Sequence, residues 1–414
     1  MSWKPGEEGW TKGIKMAFIS FSIGMFLESF IFGLESIATG WYQIPKILTS
    51  LLLAWAPLWL IIGIAFAGPL ADRIGRKPTL WLTLTLYVIG GIGLIFAFNY
   101  TLVLIFTALM LFSAGGEMNT IMAATHEIMP QKYRSRIMFL EINFINLGGA
   151  VLGGLELLTQ FSSVFFQRLV LGLVIIVAAI GLIITRLEIP ESVRWLRAKQ
   201  AVEQGEGGRV VKQALDKDTA FKLFVTTAIA FANAAGFGLI TFVLGPYFFS
   251  SITGTIIFVA DITEFVVGLF ISFLADSLSR KHLLLWSNLG IVVLTLLTYF
   301  LIPAWSKDIA IFWALLVGIN AFTSVQYLTE DTFKAELWST IRRGTYTAIA
   351  RVVSIGLYIV TIFATINFGL SQYILFNLGV WSVGLVAAIL WFIFGFETSK
   401  QITIDEIETK KAFK

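Results

Sequence analysis

"GPLADRIGRK", Gly68 to Lys77, interrupts a very apolar chain. The run before it, "LTSLLLAWAPLWLIIGIAFA", carries no charge. Then Asp72, Arg73, Arg76 and Lys77 arrive together, and "PTLWLTLTLYVIGGIGLIFAF" follows. Far downstream the chain repeats the pattern with "FLADSLSRK", Phe273 to Lys281. Two matching bursts of charge between apolar runs are the feature from which the fold can be read.

The composition sets the solvent. The 414 residues are 57% hydrophobic and 14% charged, where a soluble domain carries about 25% charged residues. The chain therefore belongs in a lipid bilayer. It holds no cysteine, which excludes thiol catalysis, iron–sulfur clusters and disulfides. Its two histidines, His126 and His282, are far apart in sequence, so neither a metal site nor a cofactor is expected. The net charge of +4 follows membrane topology and does not point to nucleic acid. The polar first 15 residues precede an apolar run long enough to span, so a membrane helix is expected there, not a signal peptide.

A helix crosses the hydrocarbon core in about 20 residues. That ruler predicts spans at 16–40, 47–70, 78–98, 101–124, 137–158 and 169–185, a polar break over 186–222, and spans at 223–249, 252–275, 283–304, 309–329, 345–370 and 373–396. The continuous runs argue against a β-barrel, whose strands are short and alternating. Placing both termini inside leaves all but four of the 30 basic residues cytoplasmic, the exceptions being Lys46, Arg168, Lys307 and the intramembrane Arg351.

The halves repeat. Asp72, Arg76 and Lys77 recur at an offset of 204 as Asp276, Arg280 and Lys281. Glu127 precedes Arg134 by seven residues, as Glu336 precedes Arg343, at an offset of 209. Glu191 in "PESVRWL" recurs as Glu397 in "FETSKQI", at an offset of 206. The chain is thus expected to be an all-α membrane protein of twelve helices in two pseudo-symmetric six-helix bundles. The expected units are a first bundle over 1–189, a cytoplasmic linker over 190–220, a second bundle over 221–398 and a tail over 399–414. Asp72, Arg76, Glu127, Arg134 and Glu191 are expected to form a cytoplasmic gating network, with Asp276, Arg280, Glu336, Arg343 and Glu397 as its copy. Partly exposed ion pairs suit a contact that must form and break. Gly68 and Gly75 are expected in the tight turn after the second span.

These same residues carry a resemblance. "GPLADRIGRK" resembles the loop motif of the major facilitator superfamily. "PESVRWLRAKQ" is similar to the motif after the sixth span in its sugar porters and organic-ion transporters. "GGEMNTIMAATHEIMPQKYRSR", "YLTEDTFKAELWSTIRRG" and "GFETSKQITIDEI" resemble further signatures of that branch. The resemblance covers the whole chain and implies alternating-access transport. The chain departs from the pattern at Thr107, where many relatives have Arg, at Ser277 and Ser279, where the loop motif has glycines, and in the seventh span. There Asn233 stands without the paired glutamines usual in sugar porters, which weakens the case for a sugar.

A charge at the bilayer centre costs at least about 3 kcal/mol, so each is a functional candidate. Glu28 lies halfway along the first span. Carboxyl groups shielded from water can exchange a proton near neutral pH, and the resemblance implies a coupling acid at this place. Glu35, two turns on, is the candidate relay. Glu117, Asp261, Glu264, Asn143, Asn146, Asn233, Asn320 and Gln326 are the candidate substrate-binding groups. Asp261 and Glu264, three apart, are expected to share one face. Glu141 and Arg351, at similar depth in spans five and eleven, are a candidate gate pair or anion contact, with snorkelling of Arg351 to the cytoplasmic interface the blander reading. The "GGAVLGG" glycines read as close helix packing.

The expected function is secondary active transport, as proton-coupled symport of a small polar metabolite such as a sugar. The alternative is a proton antiporter or a transporter of an organic cation or other organic ion; a sensor on the same fold is the lesser reading. The partners are the solute, protons and the bilayer, with a monomer expected in the plasma membrane. Duplication of the charged motifs argues against a single enzymatic centre.

Overall fold

The Thr11 hydroxyl accepts a hydrogen bond from the Ile14 N–H at 3.3 Å and so starts the first helix. Asn99, Ser163, Ser279 and Asp308 start later helices in the same way. Between these caps the apolar runs must satisfy their backbone internally, because lipid offers no hydrogen bonds, and helix is the solution.

The computed structural model of the chain describes residues 10–129, 133–189, 217–275, 277–338 and 343–398. Among them, twelve helices are long and apolar enough to cross a bilayer. They are α1 (Lys12–Ala38), α2 (Lys46–Ile74), α3 (Arg76–Ile95), α4 (Tyr100–Ile128), α5 (Arg134–Thr159) and α6 (Val164–Leu187). The second set is α7 (Lys217–Gly238), α8 (Thr253–Leu274), α9 (Arg280–Phe300), α10 (Ile309–Glu336), α11 (Arg343–Ala364) and α12 (Leu370–Phe394). A π turn at Leu239–Val243 and a last α turn at Leu244–Phe248 extend α7 to the end of its span.

The spans fall where hydropathy put them, but several ends differ. Helix α10 runs to Glu336, not to 329, because Lys334 pairs with Glu330 and Asp331 along the same helix. Helix α6 begins at Val164 and takes in Arg168. Helix α7 begins at Lys217, inside the expected linker; the remainder of that linker and the tail lie outside the described residues. Gly75 takes the turn before α3 with φ 102°, a conformation that favours glycine, whereas Gly68 is part of α2.

The helix pairings repeat with the sequence. In the first half α1 packs on α5 and α6, α2 on α4, and α3 on α4 and α6. In the second, α7 packs on α11 and α12, α8 on α10, and α9 on α10 and α12. The halves meet along α5–α8 and α2–α11, two seams that the repeat exchanges. Glycines let α5 approach both neighbours, as their packing reading requires: across the seam a Cβ on Gly153 would lie 2.5 Å from the Phe258 nitrogen, and within the first half Gly148 sits against the Phe26 carbonyl of α1. Most of α1 and α7 is buried, whereas α6, α9 and α12 turn Val177, Trp286 and Ile393 outward. In water that apolar belt would aggregate; in lipid it is the solvated surface.

Candidate functional site

Four helices of each half, α1, α2, α4 and α5 with α7, α8, α10 and α11, wall one cavity. Its charged lining is Glu28, Glu264, Glu330, Asp331, Lys334 and Arg351. Asn146, Asn233, Tyr327, Tyr358, Ser29 and Ser354 supply neutral polar groups, and Phe32, Phe237 and Phe242 supply aromatic wall. Phe242 lies in the π turn of the seventh span, a distortion often found at functional positions.

On α10 and α11 the charges close into a network. Lys334 Nζ lies 2.8 Å from Glu330 and 2.7 Å from Asp331, and Arg351 donates to Asp331 at 3.0 Å. Arg351 is buried, with Met122 Sδ 3.0 Å from the same guanidinium. It therefore does not snorkel, and its ion pair is with Asp331, not Glu141. Glu141 instead accepts a hydrogen bond from Thr125 Oγ1 at 2.5 Å, so the expected gate pair is absent. Glu28 lies within electrostatic reach of Arg351, Asp331 and Lys334.

The other candidates divide. Asn146 lines the cavity and donates to Asn143, which donates across the seam to the Phe265 carbonyl of α8. Asn143 thus ties the halves and does not face the cavity. Asn233 lines the cavity and donates to Gln326 at 2.6 Å, so Gln326 stands behind it. Asn320 caps its own helix turn at Leu316, away from the cavity. Glu264 lines the cavity, but Asp261 packs against Gly149 of α5. Residues three apart on a helix are offset by about 60° around its axis, enough to divide the expected pair. Glu35 is buried on α1 beside Thr107 and lies outside the cavity.

Glu117 is displaced furthest from its expected role. It is 1% exposed and forms an ion pair with the equally buried Arg186 of α6, while its neighbour Met118 faces the cavity. Arg186 also donates to the Leu80 carbonyl of α3. Together with Lys334, Arg186 corrects the expectation that Arg351 is the lone intramembrane base. Glu330, Asp331, Lys334 and Tyr327 are site residues that hydropathy passes over. Their signal was the i, i+3 and i, i+4 spacing of opposite charges at 330, 331 and 334.

At one end of the second half, Arg280 pairs with Glu336 at 3.3 Å, and Glu397 accepts the Arg280 backbone N–H at 2.9 Å. Ser279 Oγ also donates to Glu397, and Thr398 donates to Glu336 at 2.7 Å. Glu191 and Asp276 lie outside the described residues, as do the side chains of Asp72, Arg76, Glu127, Arg134 and Arg343.

A family profile described as "Sugar (and other) transporter" matches residues 9–228. The chain is 26% identical to the glucose transporter GlcP of Staphylococcus epidermidis over 343 residues, 73% of this chain and 75% of that protein. It is 30% identical to the galactose-proton symporter of Escherichia coli (strain K12) over 145 residues, 35% of this chain and 31% of that one. Its fold superposes on that of the proton:xylose symporter XylE of the major facilitator superfamily, bound to 6-bromo-6-deoxy-D-glucose. The TM-score is 0.74 at 16% identity, covering 96% of this chain and 99% of the other.

Proposed function

Because this chain belongs to the sugar (and other) transporter family and has the major facilitator fold, we propose that it is a proton-coupled symporter of a small polar metabolite. The cavity is its transport site, and the two bundles rock about that site to open it to one side at a time. The observation that carries this reading is the cavity's position: it draws its wall from both bundles and holds titratable groups in mid-span. A group on a wall shared by two moving bodies can sense both the solute and the conformation.

In this reading Glu28 takes up the coupling proton. It sits on the cavity wall, near Arg351 and Lys334, whose attraction for the ionised form depends on how the second bundle is placed. Glu35 is the relay on the same helix. Asn146, Asn233, Glu264 and the cavity tyrosines bind the solute. The Arg280–Glu336–Glu397 cluster is one copy of the cytoplasmic gating network. Both termini face the cytoplasm of a plasma-membrane monomer, as the distribution of Lys and Arg favours.

The test is uptake by proteoliposomes. Radiolabelled sugars, organic acids and organic cations are offered with and without an inward proton gradient. Concentrative uptake that collapses with a protonophore supports the reading. Uptake of the same solute that never exceeds equilibrium would replace symport with facilitated diffusion.

A further inference from the structure

Among the described residues, the charges that face the cavity do not balance. Lys334 and Arg351 are its two cations, and they close on Glu330 and Asp331. Two carboxyls are left over, Glu28 on α1 and Glu264 on α8. They are 8% and 1% exposed, and Oε2 of Glu28 and Oε1 of Glu264 meet no hydrogen-bond partner among the described residues. The two acids differ in their neighbours. Glu28 has Arg351 and Lys334 as well as Asp331 within electrostatic reach, whereas the charged neighbour of Glu264 is another acid, Asp261.

The neutral lining points the same way. Asn146 spends its Nδ2 on Asn143, and Asn233 spends its Nδ2 on Gln326. Each keeps its acceptor oxygen, beside one further Nδ2 hydrogen and the hydroxyls of Tyr327, Tyr358, Ser29 and Ser354. The site thus offers carboxyls that no cation among its described lining residues pairs, together with neutral acceptors. A neutral polyol, whose hydroxyls both donate and accept, uses the acceptors but has no charge to set against the carboxyls. A compact ammonium group calls for both, since it brings three donors, no acceptor and one positive charge. The aromatic wall is a further favourable surface for a cation.

We infer that the transported solute is a small polar metabolite carrying an ammonium group, and that Glu264 binds that group while Glu28 is kept for the proton. The inference rests on the reading of this cavity as the transport site, and its test separates the two.

The full-length protein is purified and offered two matched pairs, D-glucose with D-glucosamine and ethylene glycol with ethanolamine. Binding is read as a shift in unfolding temperature, and transport as counterflow in proteoliposomes. The inference expects each amine to bind at least about tenfold tighter than its neutral partner. Glu264→Gln should erase that preference, and Glu264→Asp should retain part of it. Three results would each overturn the inference: equal binding within the pairs, no binding of either amine, or a preference that survives Glu264→Gln. The wild-type comparison decides even if a variant does not fold. Concentrative uptake of glucose without an amine preference would overturn the inference and leave the transport reading standing. Failure of every solute in the uptake panel would remove the transport reading itself.

Discussion

Two acid-bearing regions meet α1 one turn apart, and they are built on opposite principles. At Gly24, where a Cβ would lie 3.3 Å from the Glu117 carboxyl carbon, the acid is locked in a buried pair with Arg186. Arg186 reaches the Leu80 carbonyl and, at 3.4 Å, Ser20, so this region ties α1, α3, α4 and α6 within one bundle. At Glu28 the acid faces a cavity whose carboxyls outnumber its cations among the described residues, and the wall belongs to both bundles. A buried acid set against a buried base holds structure. A buried charge left over beside a cavity is kept at a cost, and that cost must be recovered by a ligand or a proton.

The largest effect should come from breaking the locked region. Arg186→Met strands Glu117 as an unpaired buried charge, at a cost of about 3–5 kcal/mol. Folded, monodisperse protein should fall sharply, and Glu117→Leu in the same chain should recover much of it. Wild-type unfolding in the single variant would show that the pair holds nothing.

Glu28→Gln should do the reverse. The protein should fold with near-normal stability, because the amide fits the same space and keeps a polar group on the cavity wall. Proton-driven accumulation should drop to the equilibrium level while solute exchange across the membrane continues. If accumulation survives at wild-type strength, Glu28 is not the coupling group and Glu35 becomes the candidate.

The smallest effect sharpens the boundary between the regions. Asp261→Asn changes an acid that packs on Gly149 beside the cavity but outside it. Solute affinity should change less than about threefold, well below the tenfold that corresponds to 1.4 kcal/mol. A larger change measured by competition in the same proteoliposomes would return Asp261 to the site.

The contrast also explains what was legible in the sequence. Spans, repeat and packing glycines are properties of single helices or of the chain compared with itself, and periodicity records them. The site depends on which helix faces which. Glu117 read as a cavity acid because its partner, Arg186, stands 69 positions later and was counted as the start of the cytoplasmic break. Arg351 read as a snorkelling base because Asp331 lay beyond the expected end of its span. Hydropathy scores each charge as if it met lipid, so a charge neutralised by another helix looks like the membrane boundary. Asp261 and Glu264 shared a face in the sequence pattern, yet a turn of about 60° was enough to give one to a helix seam and the other to the cavity.

In the proposed mechanism one cavity serves both sides of the membrane in turn. The chain has no cysteine, so Ser354→Cys on the cavity wall of α11 places a single reporter there. Its labelling by a membrane-impermeant thiol reagent can be measured from each side of oriented vesicles. Alternating access requires labelling from both sides, with a transported solute slowing both rates. Labelling from one side alone, whatever solute or gradient is imposed, would contradict it.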